Sequence, residues 1–518
     1  MRPVKQAVLA IDQGTTSSRA MLFDENGSII AQQAQTFPQY YPADGAVEHD
    51  PEDIWQSVLK TSRAMIKQAE SRNISIIGIG ITNQRETALV WERETGKPIH
   101  NAIVWQDRRD AELCNSMKKQ GLEEMVTSRS GLLLDPYFSA TKIAWILDNA
   151  KLPGQPQAAI RKRAEAGELC FGTVDCYLLW QLTGGRVFAT DATNASRTNL
   201  YNIHDGDWDD TLLELFNLPR AILPEIRNSA DDFGTTDGNI LGAELPVLAM
   251  IGDQQAAAFG QGCFSPGMIK ATYGTGCFIL VNSGAEPIRS KHRLLTTVAW
   301  QLEGQRCYAL EGSIFIAGAV IQWLRDGLGI LPSAAASEAM AKRHDSNRGV
   351  YLVPALTGLG APWWDSNARG AIFGLTRDSS AEDLVRAGLE SVAYQSHDLI
   401  RAISADGISP ASLRVDGGMS ENDWLMQFLA DMLNMQVERP RITETTALGA
   451  AMLALMQYRR NNPDDAGQRV DPQRDDLWHT AWQQAPVSAY RAFVPTMTAH
   501  SRNSLLSGWH KAVQAVLD

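Results

Sequence analysis

The chain has 518 residues, more than a single hydrophobic core ordinarily supports, so at least two domains are expected. A hydrophobic share of 44% and a charged share of 20% belong to a globular protein rather than a disordered or fibrous one. The net charge of −12 argues against a general nucleic-acid surface or adherence to an anionic membrane, yet leaves room for a nucleotide held in a local positive field. Six cysteines are few for this length, and none forms a C-x-x-C pair. They read as reduced core thiols rather than a disulfide framework or a zinc site. Met1-Arg2-Pro3-Val4-Lys5 leads into a strand without the apolar stretch of a signal peptide, and no run is long enough to span a bilayer. A cytoplasmic protein with no membrane insertion is the expectation.

Ala7-Val8-Leu9-Ala10-Ile11 reads as a buried strand running straight into Asp12-Gln13-Gly14-Thr15-Thr16-Ser17-Ser18-Arg19. Two strands, Arg19 to Phe23 and Ile29 to Ala31, flank Asp24-Glu25-Asn26-Gly27, where Asn-Gly signals a hairpin. Asp50 then caps a helix with Pro51 at its first position and Glu52 and Asp53 in its first turn. Its apolar stripe takes in Ile54, Trp55, Val58, Leu59, Met65 and Ile66. Ser75 to Ile81 is a near-continuous β run, typical of a strand covered on both faces.

The second half repeats this order. Strands are expected at 268–273, 277–282 and about 294–311, then an apolar helix at 313–326, a strand at 349–353 and a helix from about Ala381 to Ser404. Leu413-Arg414-Val415 leads to Asp416-Gly417-Gly418, and helices at 421–433 and 445–457 follow. Residues 459–476 are polar and turn-rich and read as an exposed loop; Trp478, Trp482, Tyr490 and Phe493 read as a tail that packs back. Gly260, Gly262 and Ser265-Pro266-Gly267 cluster at the expected boundary, giving domains 1–262 and 263–518.

Two features carry the chemistry. Tyr273-Gly274-Thr275-Gly276-Cys277 repeats the strand, Gly/Thr turn, strand design of residues 10–19. In such turns glycine admits an anion close to the backbone, while hydroxyls and bare N–H groups donate to it. The pattern suggests two similar domains gripping one polyphosphate, although either loop alone matches an ordinary hairpin equally well. The second feature is acidic and basic residues at strand ends, where α/β sheets bind ligands. Asp253 stands between the strand Pro246 to Ile251 and an Ala-rich helix, placed to take a proton from an attacking alcohol or merely to cap the helix. Arg85 and Glu86 follow the 75–81 strand and suit adjacent hydroxyls of a polyol, or a plain ion pair. Trp105 reads as a wall for a carbon chain or as a core residue, and His49 as structural.

Together these residues resemble the FGGY carbohydrate kinase family, and within it the kinases that act on glycerol. The likeness runs over residues 6–457. It rests on Asp12 to Arg19, Ile81 to Thr87, Asp135-Pro136-Tyr137-Phe138-Ser139, Gly252 to Gln255, Tyr273 to Phe278 and Val415 to Gly418. Tyr137 to Asn149 and Gly370 to Glu390 look like the family's signatures, with Gly388 where a larger residue is usual. The resemblance implies an α/β protein of two RNase H-like domains, of the actin-like ATPase superfamily, with an interdomain cleft. It implies transfer of the ATP γ-phosphate to glycerol with Mg²⁺, in a homo-oligomer (dimer or tetramer). Position by position, Arg85, Glu86, Tyr137, Asp253 and Gln254 would bind the glycerol hydroxyls, with Trp105 and Phe278 as walls. Asp253 would be the general base, and Asp12 would help hold the metal. Thr15, Thr16, Ser17, Arg19 and Thr275 would handle phosphates; Gly318, Gln322, Gly418 and Asn422 would serve the nucleotide. A pentulose or hexulose kinase of the family would share both loops and Asp253 but lack the Arg85-Glu86 and Tyr137 set. An actin-like or chaperone-type ATPase would need a polymer or peptide surface, for which no segment is evident.

Overall fold

The structure, a computed structural model, describes residues 5–152, 154, 156–365, 368–463 and 490–517. Its first half is built on a five-stranded sheet of β1 (Lys5–Gln13), β2 (Ser17–Phe23), β3 (Ile29–Thr36), β4 (Ile74–Asn83) and β5 (Val247–Gly252), in the order β5-β4-β1-β2-β3. β1, β2 and β3 pair antiparallel, whereas β4 and β5 add in parallel. Parallel pairing needs a crossover, and α1 (Pro51–Ser71) supplies it between β3 and β4. Asp50 caps that helix by accepting from the Glu52 N–H at 2.8 Å, and the stripe from Ile54 to Ile66 is buried beneath it.

The second half repeats the plan with β6 (Met268–Tyr273), β7 (Cys277–Gly284), β8 (Leu295–Leu302), β9 (Gln305–Ile314), β10 (Ser412–Asp416), β11 (Val437–Pro440) and β12 (Tyr490–Phe493). Their order is β8-β9-β7-β6-β10-β11-β12, with β6/β7, β7/β9 and β8/β9 antiparallel and β6/β10 and β10/β11 parallel. The duplicated order expected from the sequence is therefore present. Both halves are α/β, and the architecture agrees with the actin-like ATPase fold.

Three further helices belong to the seam and the site: α2 (Ser139–Asn149), α3 (Asp253–Gly260) and α4 (Gly318–Gln322). α5 (Ala381–Ala405), α6 (Asp423–Leu433), α7 (Thr445–Asn461) and α8 (Ala499–Leu517) are the longer helices of the second half. α7 crosses to the first half and packs over β4, β5 and α3. Glycines make that approach possible: a Cβ on Gly260 would lie 2.1 Å from the Thr445 oxygen, and one on Gly449 would lie 1.9 Å from the Ala256 oxygen.

Three expectations need correction. The helix expected at 313–326 starts late, because Ser313 and Ile314 still pair with Phe278 and Cys277 in the sheet. Their backbone groups are spent on the ladder, and a short apolar run does not distinguish strand from helix. The helix begins at Gly318 and passes into a π-turn over Trp323–Gly327. That turn lays Leu324 so close to Gly388 that a Cβ there would sit 2.9 Å from its Cδ1, which accounts for the small residue in the second signature. Second, the region 294–311 is a hairpin, turned at Glu303 and Gly304 with φ of 51° and 77°. Third, Arg459 to Asn461 continue α7 rather than opening a loop. Residues 464–476, Trp478 and Trp482 lie outside the described residues. Tyr490 and Phe493 do pack back, as β12 on β11, and Trp509 of α8 stacks on Tyr394 of α5 with centroids 5.3 Å apart. All six cysteines are free, five of them buried.

Candidate active site

Both Gly/Thr turns join antiparallel strands, the first β1 to β2 and the second β6 to β7. In the first, the Gly14 N–H donates to the Ser17 oxygen at 2.9 Å and the strands are in register from Asp12 opposite Arg19. In the second, the Gly274 N–H donates to the Gly276 oxygen at 2.9 Å. The start of α4 docks beneath this turn, its Ala317 and Ala319 N–H groups donating to the Thr275 oxygen and that of Gly318 to Gly274, each at 2.9–3.0 Å. A Cβ on Gly318 would lie 2.5 Å from the Gly274 oxygen, so that position is restricted to glycine. Thr16 and Thr275 are exposed, and Thr15 and Ser17 half-buried.

Asp12, beside the first turn, has no hydrogen bond or ion pair to its carboxylate among the described residues. Burial pushes its pKa up to about 7, with Arg19 pulling down and Asp253 and Glu444 pushing further up. Its oxygens are therefore available to a cation. Arg19 itself pairs with Glu444 at 2.5 Å.

The strand-end charges meet in one buried network. Asp253 opens α3 directly after β5; its Oδ1 accepts from the Gln254 N–H at 2.7 Å and lies 3.2 Å from Arg85 Nε in an ion pair. Both terminal nitrogens of Arg85 donate to Glu311 on β9, at 2.5 and 3.2 Å, and Nη1 also donates to Gln255 at 3.2 Å. Arg197 bridges the two glutamates, Nε to Glu86 at 2.6 Å and Nη2 to Glu311 at 2.8 Å. Burial pushes Glu311 up, but Arg197 and Arg85 outweigh it and hold the carboxyl below its usual range. Glu86 faces less positive charge, and burial raises it. Its backbone takes a φ of 60°, uncommon for a non-glycine residue, and its carbonyl accepts from Ser139 at the start of α2 at 2.9 Å.

Three aromatic rings close over these charges. Trp105 stands edge-on to Tyr137 at 5.8 Å and to Phe278 at 5.9 Å. Trp105 Nε1 donates to Thr15 Oγ1 at 3.0 Å, fastening the wall to the first turn. Arg197 lies 5.6 Å from the Tyr137 ring centre. Gln254 Oε1 accepts from buried Lys270 of β6, whose pKa burial lowers.

Behind the second turn, Gly417 takes a φ of 85° and brings its backbone against Tyr273, where a Cβ would sit 2.5 Å from the carbonyl oxygen. Gly418 has open space before it, and Gln322 is exposed on α4. Asn422 caps α6, accepting from the Leu425 N–H at 2.9 Å while its amide donates to Ser337 at 3.3 Å. His49 is fully buried, between Gln39 and Gln84.

Residues 7–260 match the N-terminal domain, and 269–458 the C-terminal domain, of the FGGY family of carbohydrate kinases. The chain belongs to this family. It is 56% identical over 511 residues to the glycerol kinase of Rhodospirillum centenum, covering 98% of each chain. Glycerol kinase 1 of Pseudomonas aeruginosa is 54% identical, with the same coverage. Among solved structures, the glycerol kinase of Plasmodium falciparum with ADP superposes with a TM-score of 0.90 at 33% identity, over 99% of both chains. The chain is thus a kinase that uses ATP.

In this FGGY kinase the sequence reading missed four residues of the charged network: Arg197, Gln255, Lys270 and Glu311. Glu311 and Lys270 did leave a signal, a single charge inside an otherwise apolar strand, Ala309-Leu310-Glu311-Gly312 and Ile269-Lys270-Ala271. Such a charge is seldom buried without a partner. Arg197 left none, because it follows a four-residue helix whose direction is set by tertiary contacts.

Proposed function

We propose that this chain transfers the γ-phosphoryl group of ATP to the terminal hydroxyl of glycerol, giving sn-glycerol 3-phosphate and ADP. The observation that carries the reading is one cluster of side chains. Trp105, Tyr137 and Phe278 wall it, and Arg85, Glu86, Asp253 and Gln254 line it with alternating donors and acceptors. Apolar walls suit the carbon chain and the polar row its hydroxyls. Lys270 occupies the Gln254 carbonyl oxygen, which leaves the amide nitrogen to donate to substrate. Asp253 accepts the hydroxyl proton as the glycerol oxygen bonds to the γ-phosphorus. The bond from that phosphorus to the β–γ bridging oxygen breaks, and ADP leaves with its electron pair.

Thr15, Thr16, Ser17, Arg19 and Thr275 hold phosphate oxygens from the two turns. Gly418 and Gln322 border the nucleotide, with Gly318 keeping the second turn in place and Asn422 shaping the pocket floor through its cap. Asp12 would hold Mg²⁺ opposite Asp253; when bound, the ion neutralises charge on the transferring phosphate. Residues 1–262 thus act as the glycerol-side domain and 263–518 as the nucleotide-side domain. Free cysteines suit a reducing compartment, and we place the enzyme in the cytoplasm.

The test is ADP release with and without glycerol, against a panel of polyols and ketoses. Strong glycerol dependence is expected. A steady glycerol-independent rate, or preference for a pentulose or hexulose, would overturn the proposal.

A further inference from the structure

On the side of the second half where α8 covers α5, three ligand-type side chains converge. Asp398 of α5 is anchored through one oxygen: buried Trp509 donates Nε1 to Oδ2 at 2.8 Å. The other oxygen, Oδ1, lies 3.0 Å from His510 Nε2. His397 presents Nδ1 to that same Oδ1 at 3.7 Å, beyond hydrogen-bonding range. This nitrogen is shielded from solvent and has no hydrogen-bond partner among the described residues. The three ligand atoms lie within 4.8 Å of one another.

We propose that His397, Asp398 and His510 bind a borderline transition-metal ion such as Zn²⁺, which fastens the C-terminal helix to α5. Ligands about 2.0–2.1 Å from one zinc ion lie roughly 3–4 Å apart, so small side-chain rotations complete the set. The Trp509 hydrogen bond already orients the carboxylate, as outer-shell partners do in metal sites. Imidazole ligands select zinc-like metals over Mg²⁺ or Ca²⁺, which want several oxygens. Arg401 and Lys511, exposed at the rim and without partners among the described residues, make the surroundings still less hospitable to those oxygen-seeking ions. A cavity of about 660 Å³ opens beside the cluster and gives a water access to a fourth position. A plain hydrogen-bonded clasp would explain Trp509 and His510, but it leaves the His397 nitrogen unaccounted for.

The experiment uses the full chain, free of any affinity tag and stripped with chelator. Zn²⁺ is titrated calorimetrically, and Co²⁺ is followed by its visible absorption, for the wild type, His397→Gln and His510→Gln. His397 makes no hydrogen bond to lose, and glutamine can still reach Asp398 from position 510, so both variants should match the metal-free wild type in melting temperature. One zinc per chain is expected, with a rise in melting temperature, and binding roughly tenfold or more weaker in each variant. Equal zinc binding in all three proteins would place the metal elsewhere and overturn the proposal. So would no binding at about 100 μM Zn²⁺, or stabilisation by inorganic phosphate but not by zinc, which would assign the pocket to an anion.

Discussion

Glu311 is the residue whose loss should disable the site most without touching substrate. It is fully buried on β9 and accepts three hydrogen bonds, two from Arg85 and one from Arg197. With Glu311 and Glu86 ionised, the two guanidiniums are balanced, and Asp253 at the edge of the cluster adds one further negative charge. Glu311→Gln removes one charge and keeps the shape. The two guanidiniums then share Glu86 alone in the interior, and the new amide meets donors with a donor. Leaving a buried charge unpaired costs about 3–5 kcal/mol. The surviving glutamine oxygen can still accept one bond, so the lower end, about 3 kcal/mol, is expected.

Part of that cost should appear in catalysis. Arg85 is free to turn toward Asp253, already 3.2 Å from its Nε, which tightens that pair and weakens the base. A displacement worth ~1.4 kcal/mol is tenfold in a rate or binding constant. The expectation is a roughly tenfold loss in kcat with a comparable rise in the KM for glycerol, and little change in the KM for ATP. Denaturant unfolding and steady-state kinetics on the same preparation measure both parts. An unchanged unfolding midpoint together with a glycerol KM within about twofold of wild type would refute the view that Glu311 holds Arg85 in place.

Asp253→Asn should lower kcat by roughly 10²–10⁴-fold with a much smaller change in glycerol binding; near-normal turnover in a folded variant removes Asp253 as the base. Arg85→Ala should weaken glycerol more than ATP, and the reverse order would move Arg85 to the phosphate side. Because burial raises Asp12 to about 7, its proton competes with Mg²⁺. The Mg²⁺ concentration for half-maximal rate should therefore climb as pH falls below about 7, and Asp12→Asn should abolish that slope. A Mg²⁺ requirement flat from pH 6 to 8 would separate Asp12 from the metal. Burial lowers His49 to about 4, so the folded state keeps it neutral while the unfolded chain takes up a proton below about 6.5. The stability this provides is complete above pH 6.5 and lost as pH falls toward 4, by about 3 kcal/mol. Equal acid sensitivity of unfolding in wild type and His49→Gln would contradict it.

Much of the fold was legible because its signals are local. Asp50-Pro51, Asn26-Gly27 and the apolar run 75–81 each contain the physics that forms the element they mark. The helix at 313–326 was misplaced for the opposite reason: Ser313 and Ile314 are strand only because Phe278 and Cys277 pair with them. The same division runs through the site. Asp12, Arg85, Glu86, Asp253 and Thr275 all stand in or beside turns at strand ends, where sequence context gives their position. Arg197 and Glu311 are 114 residues apart and meet through side chains, so their relation exists only in the fold.

That relation also says why the site is split between halves. Arg85, Glu86, Asp253, Trp105 and Tyr137 come from the first half, whereas Phe278, Lys270 and Glu311 come from the second. Arg85 of the first half reaches Glu311 of the second with near-complete burial, so the charged network depends on ion pairs that join the two halves. The α3–α7 crossing is sterically unforgiving, since the Gly260 and Gly449 backbones meet where no Cβ fits.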